Sequence, residues 1–190
     1  MESSVAKVAI VFFSGFGHTR KVAEHVQIGV NEVIANSATL FDVDSLEDVH
    51  QLTDYDAIIF GAPTYMGAVP YQFKKFMDDS SQIWMSQAWK DKLAAGFTNS
   101  YALSGGKTGV LMQMFTFAAQ HGMLWMPLGL KQSDDKPHND PTAINRMGSS
   151  LGLMAQSDNE SPEVTPPAGD RKTAELFGQR IAQTVLKFKA

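Results

Sequence analysis

The sequence predicts an α/β fold, a three-layer sandwich in which a five-stranded parallel sheet in the order 2-1-3-4-5 carries helices on both faces. Short apolar runs alternate along the chain with segments whose apolar residues recur at helical spacing. The first run, residues 8–13, is continuously apolar, which is typical of a central parallel strand buried on both sides. Polar turns follow the first, third and fourth runs, at the strand ends where open parallel sheets bind ligands.

The predicted elements alternate from strand to helix. Apolar runs predict strands at residues 8–13, 39–43, 55–61, 93–97 and 123–126. Helical spacing and helix-start signals predict helices at residues 21–30, 45–51 with Ser45 as N-cap, 71–77 after Pro70, 108–121, and from an N-capping Asp170 to the end. Residues 127–169 form an irregular insertion before the last helix, and the whole chain, 1–190, is a single predicted domain.

Composition excludes several classes of protein. The formal charge is −4 and no basic stripe is visible, which argues against a nucleic-acid partner. The chain has no cysteine, so a redox role requires a bound cofactor. No apolar stretch reaches about 18 residues and no signal peptide begins the chain, which predicts a cytoplasmic protein without membrane insertion.

The turn after the first strand predicts a phosphate site. Residues 14–19 read S-G-F-G-H-T, and the helix that follows offers free N–H groups and the positive end of its dipole. A dinucleotide fingerprint needs a third glycine where this chain has Arg20, so a terminal monophosphate fits better. Asp42 would bind a ribose in a dinucleotide fold; without the fingerprint, we interpret it as a residue at a strand end.

The insertion contains several possible metal ligands. Asp134, Asp135, His138 and Asp140 lie close together in the sequence, but their spacing fits no ligand pattern. No metal site is therefore predicted.

Three motifs in order resemble a known family. F-F-S-G-F-G-H-T, G-A-P-T-Y-M-G-A-V-P and A-A-Q-H-G-M are similar to segments of WrbA-type NAD(P)H:quinone oxidoreductases in the flavodoxin-like superfamily. The resemblance reaches to about Leu130. It implies a flavodoxin-like fold, FMN as cofactor, and NAD(P)H as electron donor.

The resemblance also implies the cofactor-binding residues. Those expected to hold the FMN phosphate are Ser14, Gly15, Phe16, Gly17, His18 and Thr19. Those expected to line the isoalloxazine ring are Pro63, Thr64, Tyr65, Met66, Gly67, Ala68 and Val69. Those expected to cover its other side lie in the loop 98–106, among them Thr98, Asn99, Ser100, Gly105 and Gly106.

Trp84 matches a tryptophan that lines the substrate pocket in this family, and His121 matches a histidine close to the flavin edge; neighbouring subunits of a tetramer can supply both. The alternatives are a core or interface aromatic for Trp84 and a charge at a helix end for His121. If His121 is catalytic, it would help to protonate the reduced acceptor, because both of its forms are accessible near neutral pH.

The resemblance implies an enzyme that passes two electrons from NAD(P)H to a quinone or similar acceptor by a ping-pong mechanism, as a dimer or tetramer. The alternatives are a flavodoxin-type one-electron carrier and an FMN-binding interaction protein. The chain departs from the family in the bulky Tyr101 and Leu103 and in the insertion, which lacks a Pro-Tyr-Gly pattern. The resemblance therefore implies flavin binding more directly than it implies the identity of the electron acceptor.

Overall fold

A computed structural model describes residues 5–137 and 139–189. The strands of this part are β1 (Val8–Phe12), β2 (Ala38–Asp42), β3 (Ala57–Pro63), β4 (Leu93–Ser100), β5 (Leu124–Trp125) and β6 (Leu153–Gln156). The helices are α1 (His18–Val33), α2 (Tyr71–Asp79), α3 (Ser81–Ser86), α4 (Lys107–Gln120) and α5 (Ala168–Lys189), with a 3-10 helix at Val49–Asp54.

The predicted fold class is confirmed. The strands are parallel and follow the order β2-β1-β3-β4-β5. Every residue of β1 is buried: Ile10 and Phe12 belong to one hydrophobic core with α1 and α5, whereas Ala9 and Val11 belong to a second core with α2 and α4. This alternation places helices on both faces and explains why the strand is continuously apolar.

The sheet contains a strand that was not predicted. The edge of β4 that faces away from β3 pairs first with β5, at Leu93 and Ala94, and then with β6, from Phe97 to Ser100. β5 and β6 are thus two pieces of one edge strand, and residues 126–152 lie between them in the chain. The fifth strand lies within its predicted range. The segment 127–169 was predicted to be irregular, but it contains β6.

Three local predictions are wrong. Residues 45–51 do not form a helix: Asp48 instead caps the 3-10 helix by accepting a hydrogen bond from the His50 N–H, 2.9 Å. Residues 98–100 continue β4 instead of forming a loop, because β6 pairs with them. Asp170 is not an N-cap, since it lies in the first turn of α5 and forms a buried ion pair with Arg146, 2.7 Å.

Helices α1 and α5 pack closely at two glycines. A Cβ atom on Gly29 would lie 1.9 Å from the Glu175 carbonyl oxygen, and one on Gly178 would lie 2.2 Å from the Val26 carbonyl oxygen. Both distances are shorter than any real contact, so each helix backbone approaches the other at a position where one of the two has only a glycine.

Candidate functional site

A cavity of about 690 Å³ lies at the carboxyl ends of β1, β3, β4 and β6. Four segments line it: the turn after β1, the turn after β3, the end of β4, and the residues after β6. The lining residues are Ser14, Gly15, Phe16, His18, Thr19, Pro63, Thr64, Tyr65, Asn99, Ser100, Tyr101, Ser157, Asp158, Asn159 and Glu160. The predicted turns therefore meet at one site.

The turn after β1 presents a run of free backbone donors. Within the described chain, the N–H groups of residues 15–19 have no hydrogen-bond partner, and the Arg20 N–H donates to Ser14 Oγ, 3.1 Å. Gly17 has a left-handed backbone with φ 88°, so the chain enters α1 in a conformation that favours glycine. Free N–H groups at a helix N-terminus suit an anion, and no lysine or arginine lines this cavity.

The end of β3 and the turn after it contribute Pro63, Thr64 and Tyr65 to the cavity wall. Thr64 Oγ1 hydrogen-bonds Thr98 Oγ1, 2.8 Å, and the Thr64 N–H donates to the Asn99 carbonyl, 2.9 Å, which joins β3 to β4. Tyr65 enters the cavity wall and makes edge-to-face contacts with Phe13 and Phe16, each at 6.5 Å between ring centres. Beyond Tyr65 the chain turns tightly, and Met66, Gly67, Ala68 and Val69 do not line the cavity.

The end of β4 supplies Asn99, Ser100 and Tyr101, and Thr98 is buried behind them. Gly105 and Gly106 lie outside the cavity, because the loop turns back toward α4 with φ of 54° and 81°. A Cβ on Gly106 would lie 3.0 Å from Gly67 Cα, so the two loops touch beside the cavity.

One wall of the cavity, formed by residues after β6, was not predicted. Ser157 follows β6 and donates through Oγ to Asn99 Oδ1, 3.0 Å. Further along, the Glu160 carbonyl accepts a hydrogen bond from His18 Nε2, 2.8 Å, and Glu163 pairs with Lys21, 2.9 Å. These contacts fasten residues 157–163 to the start of α1. In the sequence, the element that leads into this wall is β6, which has four residues and follows two glycines. A segment of that length is too short to show periodicity.

Trp84 and His121 lie away from this cavity in a single protomer. Both line a separate groove of about 610 Å³ between α2, α3 and α4, which shares no residue with the first cavity. The Trp84 side chain is 42% exposed, so it is not a core tryptophan. The structure therefore brings these two residues together with each other but not with the predicted cofactor residues.

His121 is 2% exposed and packs against the rings of Trp89 and Phe117. Ser80 Oγ donates to the Met77 carbonyl, so it accepts from His121 Nε2, 2.9 Å, and the proton lies on Nε2. His121 Nδ1 is then a buried acceptor without a partner among the described residues. Burial lowers the pKa of His121 to about 4. The prediction that both forms are accessible near neutral pH is wrong for this protomer.

Three of the remaining candidates, Asp42, Asp134 and Asp140, have structural partners. The Asp42 carboxylate forms an ion pair with the Arg20 guanidinium at the end of β2, with 2.6 Å between nitrogen and oxygen. Asp134 pairs with Lys131, and Asp140 accepts from Thr142, while His138 lies outside the described residues. Within the described residues, no three His, Cys, Asp or Glu side chains are placed to hold a metal ion. None of the described helices contains a stretch long and apolar enough to cross a membrane.

Comparison with known proteins places this arrangement in a family. The family model described as a flavodoxin domain matches residues 9–121. Flavodoxin FldP of Pseudomonas aeruginosa is 39% identical over 184 residues, covering 94% of this chain and 96% of that protein. An NAD(P)H dehydrogenase (quinone) of Archaeoglobus fulgidus is 28% identical over 206 residues, covering 96% and 99%.

A solved structure agrees with these relatives. The crystal structure of a WrbA-like flavodoxin from Agrobacterium tumefaciens has a TM-score of 0.75 and 38% sequence identity, covering 96% of this chain and 98% of the other. The match of the family model over more than half of the chain, with relatives of this identity and coverage, shows that the chain belongs to the flavodoxin domain family.

Proposed function

We propose that this protein is an FMN-dependent oxidoreductase that passes two electrons from NAD(P)H to a quinone or similar acceptor in a ping-pong mechanism. The observation that supports it most is the cavity at the strand ends, where free backbone donors meet aromatic walls. The names of the quinone dehydrogenase relative and the WrbA-like structure support the choice of reaction. A cytoplasmic location stays a prediction.

The residues of the cavity fit FMN. The five unbonded N–H groups of residues 15–19 and the hydroxyl groups of Ser14 and Thr19 would hold a phosphate without a cation. Tyr65 and Tyr101 offer flat apolar surfaces for a ring system. When bound, FMN supplies the redox chemistry, and the protein supplies binding and orientation.

Other residues would exclude water from the cavity and lie next to the bound acceptor. The wall 157–160, fastened to α1, closes one side of the cavity. We propose that the chain forms a homo-oligomer, a dimer or tetramer, in which the groove with Trp84 and His121 faces a neighbour's cavity. His121 would then lie beside the acceptor as a neutral ring that carries its proton on Nε2 and keeps Nδ1 buried.

A second candidate is a one-electron carrier. The relative with 39% identity is named a flavodoxin, and in one protomer neither Trp84 nor His121 reaches the cavity. Such a carrier would need no oligomer to complete its site and no reaction with nicotinamide.

The test begins with the purified protein supplied with FMN or, as the matched control, with riboflavin, which lacks the phosphate. We expect FMN to bind at least about tenfold more tightly. The FMN-loaded protein is then mixed with NADH or NADPH without oxygen. Loss of the visible flavin absorption and its recovery with a quinone support the reductase.

Two outcomes would contradict the proposal. A yellow protein that reacts with neither nicotinamide, and that takes up electrons from dithionite in two separate one-electron steps, would favour the carrier. Equal affinity for riboflavin and FMN, or no binding of either, would overturn the phosphate site itself.

A further inference from the structure

The loop between β4 and α4 is held from inside by a buried lysine. Lys107 is the first residue of α4 and is 1% exposed. Its Nζ donates to two consecutive carbonyl groups of the loop, those of Ala102 and of Leu103. The residues from Tyr101 to Gly106 are all exposed, so the Lys107 side chain is the buried contact that joins this loop to the interior.

This position is unfavourable for a lysine in two respects. Lysine is almost never fully buried unless it is paired, and none of the ion pairs among the described residues includes Lys107. The N-terminus of a helix disfavours a cation. Burial lowers the pKa of Lys107 to about 8, with Asp170 opposing and Arg146 adding to this effect. The two carbonyl groups are the stabilising contacts that the structure shows.

The contacts determine the direction of the loop backbone. Both peptide bonds after these carbonyls are trans, so the N–H of the next residue points away from each carbonyl. Holding the carbonyls inward therefore turns the N–H groups of Leu103 and Ser104 outward, where they have no partner among the described residues. The same loop starts with Tyr101, which lines the cavity.

From this geometry we propose that Lys107 is a positioning residue: its ammonium group holds the loop 101–106 in the conformation that binds the flavin. This inference rests on the proposed function, because it assumes that the cavity takes FMN. Lys107 does not line the cavity and acts only through the loop.

The chain contains a matched control for this role. Lys92 also donates from Nζ to two carbonyl groups, those of Thr53 at 2.8 Å and Tyr55 at 2.7 Å, and burial also lowers its pKa. It lies just before β4, at the end of the strand opposite the cavity. Lys92→Met removes the same kind of contact without touching the site.

The experiment measures two quantities for each variant: the dissociation constant of FMN from the quenching of flavin fluorescence, and the free energy of unfolding of the flavin-free protein in urea. We expect Lys107→Met to weaken FMN binding by about tenfold or more, since two hydrogen bonds from a charged group are lost. Lys107→Arg keeps a charged donor and should retain more of the affinity than Lys107→Met. Lys92→Met should lose stability but keep the affinity within about twofold.

The outcomes separate this proposal from the proposed function. If the unmodified protein binds no FMN, the proposed function fails. If it binds FMN and Lys107→Met binds equally well, only the role of Lys107 is wrong. An equal loss of affinity in Lys92→Met would also overturn that role, because stability alone would explain it. Should Lys107→Met not fold, Lys107→Gln replaces it, with the same expected direction, since its shorter side chain cannot reach both carbonyls.

Discussion

At the scale of single residues, burial changes what His121 can do. An exposed histidine exchanges protons near neutral pH, but His121 lies between aromatic rings with its proton on Nε2. The charged form would lose its hydration without gaining a partner, which is why the pKa falls to about 4. His121 is therefore neutral at pH 7, and its Nδ1 is a buried acceptor.

This environment predicts a pH-dependent stability. An unfolded histidine binds a proton near pH 6.5, whereas folded His121 binds one only near pH 4. Between these values the unfolded state holds more protons, so the free energy of unfolding falls as the pH drops from 6.5 to 4. In His121→Gln this fall should be shallower by up to about 1.4 kcal/mol per pH unit. Urea unfolding at several pH values measures it; parallel curves for the two proteins would contradict the assigned environment.

Residues of the cavity that lie in a recognisable sequence motif were easier to predict than residues that do not. Ser14, His18 and Thr19 line the cavity, and a strand, a polar turn and a helix start are all visible around them within 20 residues of the sequence. Tyr101 counted as a departure from the family because of its size, yet it lines the cavity. Glu160 contributes a backbone carbonyl, and no side-chain pattern can reveal that.

At the scale of elements, the close approach of α1 and α5 depends on Gly29 and Gly178. The hydrophobic spacing of both helices was visible in the sequence, but spacing alone does not show how near two helices come. Here the near contact brings the backbone of one helix against that of the other. A side chain at either position would force the helices apart.

We predict that Gly178→Ala destabilises the protein. Alanine favours an isolated helix by about 1 kcal/mol, but the added methyl group would lie 2.2 Å from the Val26 carbonyl oxygen. Separating two packed helices costs more than this gain, so the free energy of unfolding should fall by about 2 kcal/mol or more. Gly109→Ala in α4 is the control, because its methyl group would meet only the Gly67 carbonyl oxygen, at 3.3 Å, on an exposed loop. Equal stability of Gly178→Ala and the unmodified protein would refute the contact.

The edge strand shows the limit of predicting elements from sequence. β5 and β6 occupy one position in the sheet, but each is short, two and four residues, and residues 126–152 separate them. Only the pairing with β4 identifies Leu153–Gln156 as strand, and pairing partners are not visible in a single sequence. The predicted strand at residues 123–126 succeeded because it continues an apolar run after a glycine.

At the scale of the whole molecule, the groove on α2, α3 and α4 exposes large apolar side chains. Trp84 and Met112 line it and are 42% and 46% exposed. Met85 and Phe115 on the same helices are exposed as well. Clustered apolar surface of this kind is typical of an interface between proteins.

We therefore predict that Met112→Glu weakens self-association. A charge at the centre of an apolar interface should raise the dissociation constant of the oligomer by about tenfold or more, because its burial removes its hydration. Ile28→Glu is the control, since Ile28 is 44% exposed on α1, away from the groove. Light scattering across a range of protein concentrations measures both. A monomeric unmodified protein would exclude the predicted homo-oligomer.

The interrupted edge strand also bears on how such a protein can diverge. Residues 126–152 leave and re-enter the sheet at one edge, so their number does not affect the register of β1, β2, β3 and β4. Doubling the length of a loop costs only about 0.6 kcal/mol of closure entropy. The insertion can therefore change in length at small cost without displacing the phosphate turn, which follows a central strand on the other side of β3 from this edge.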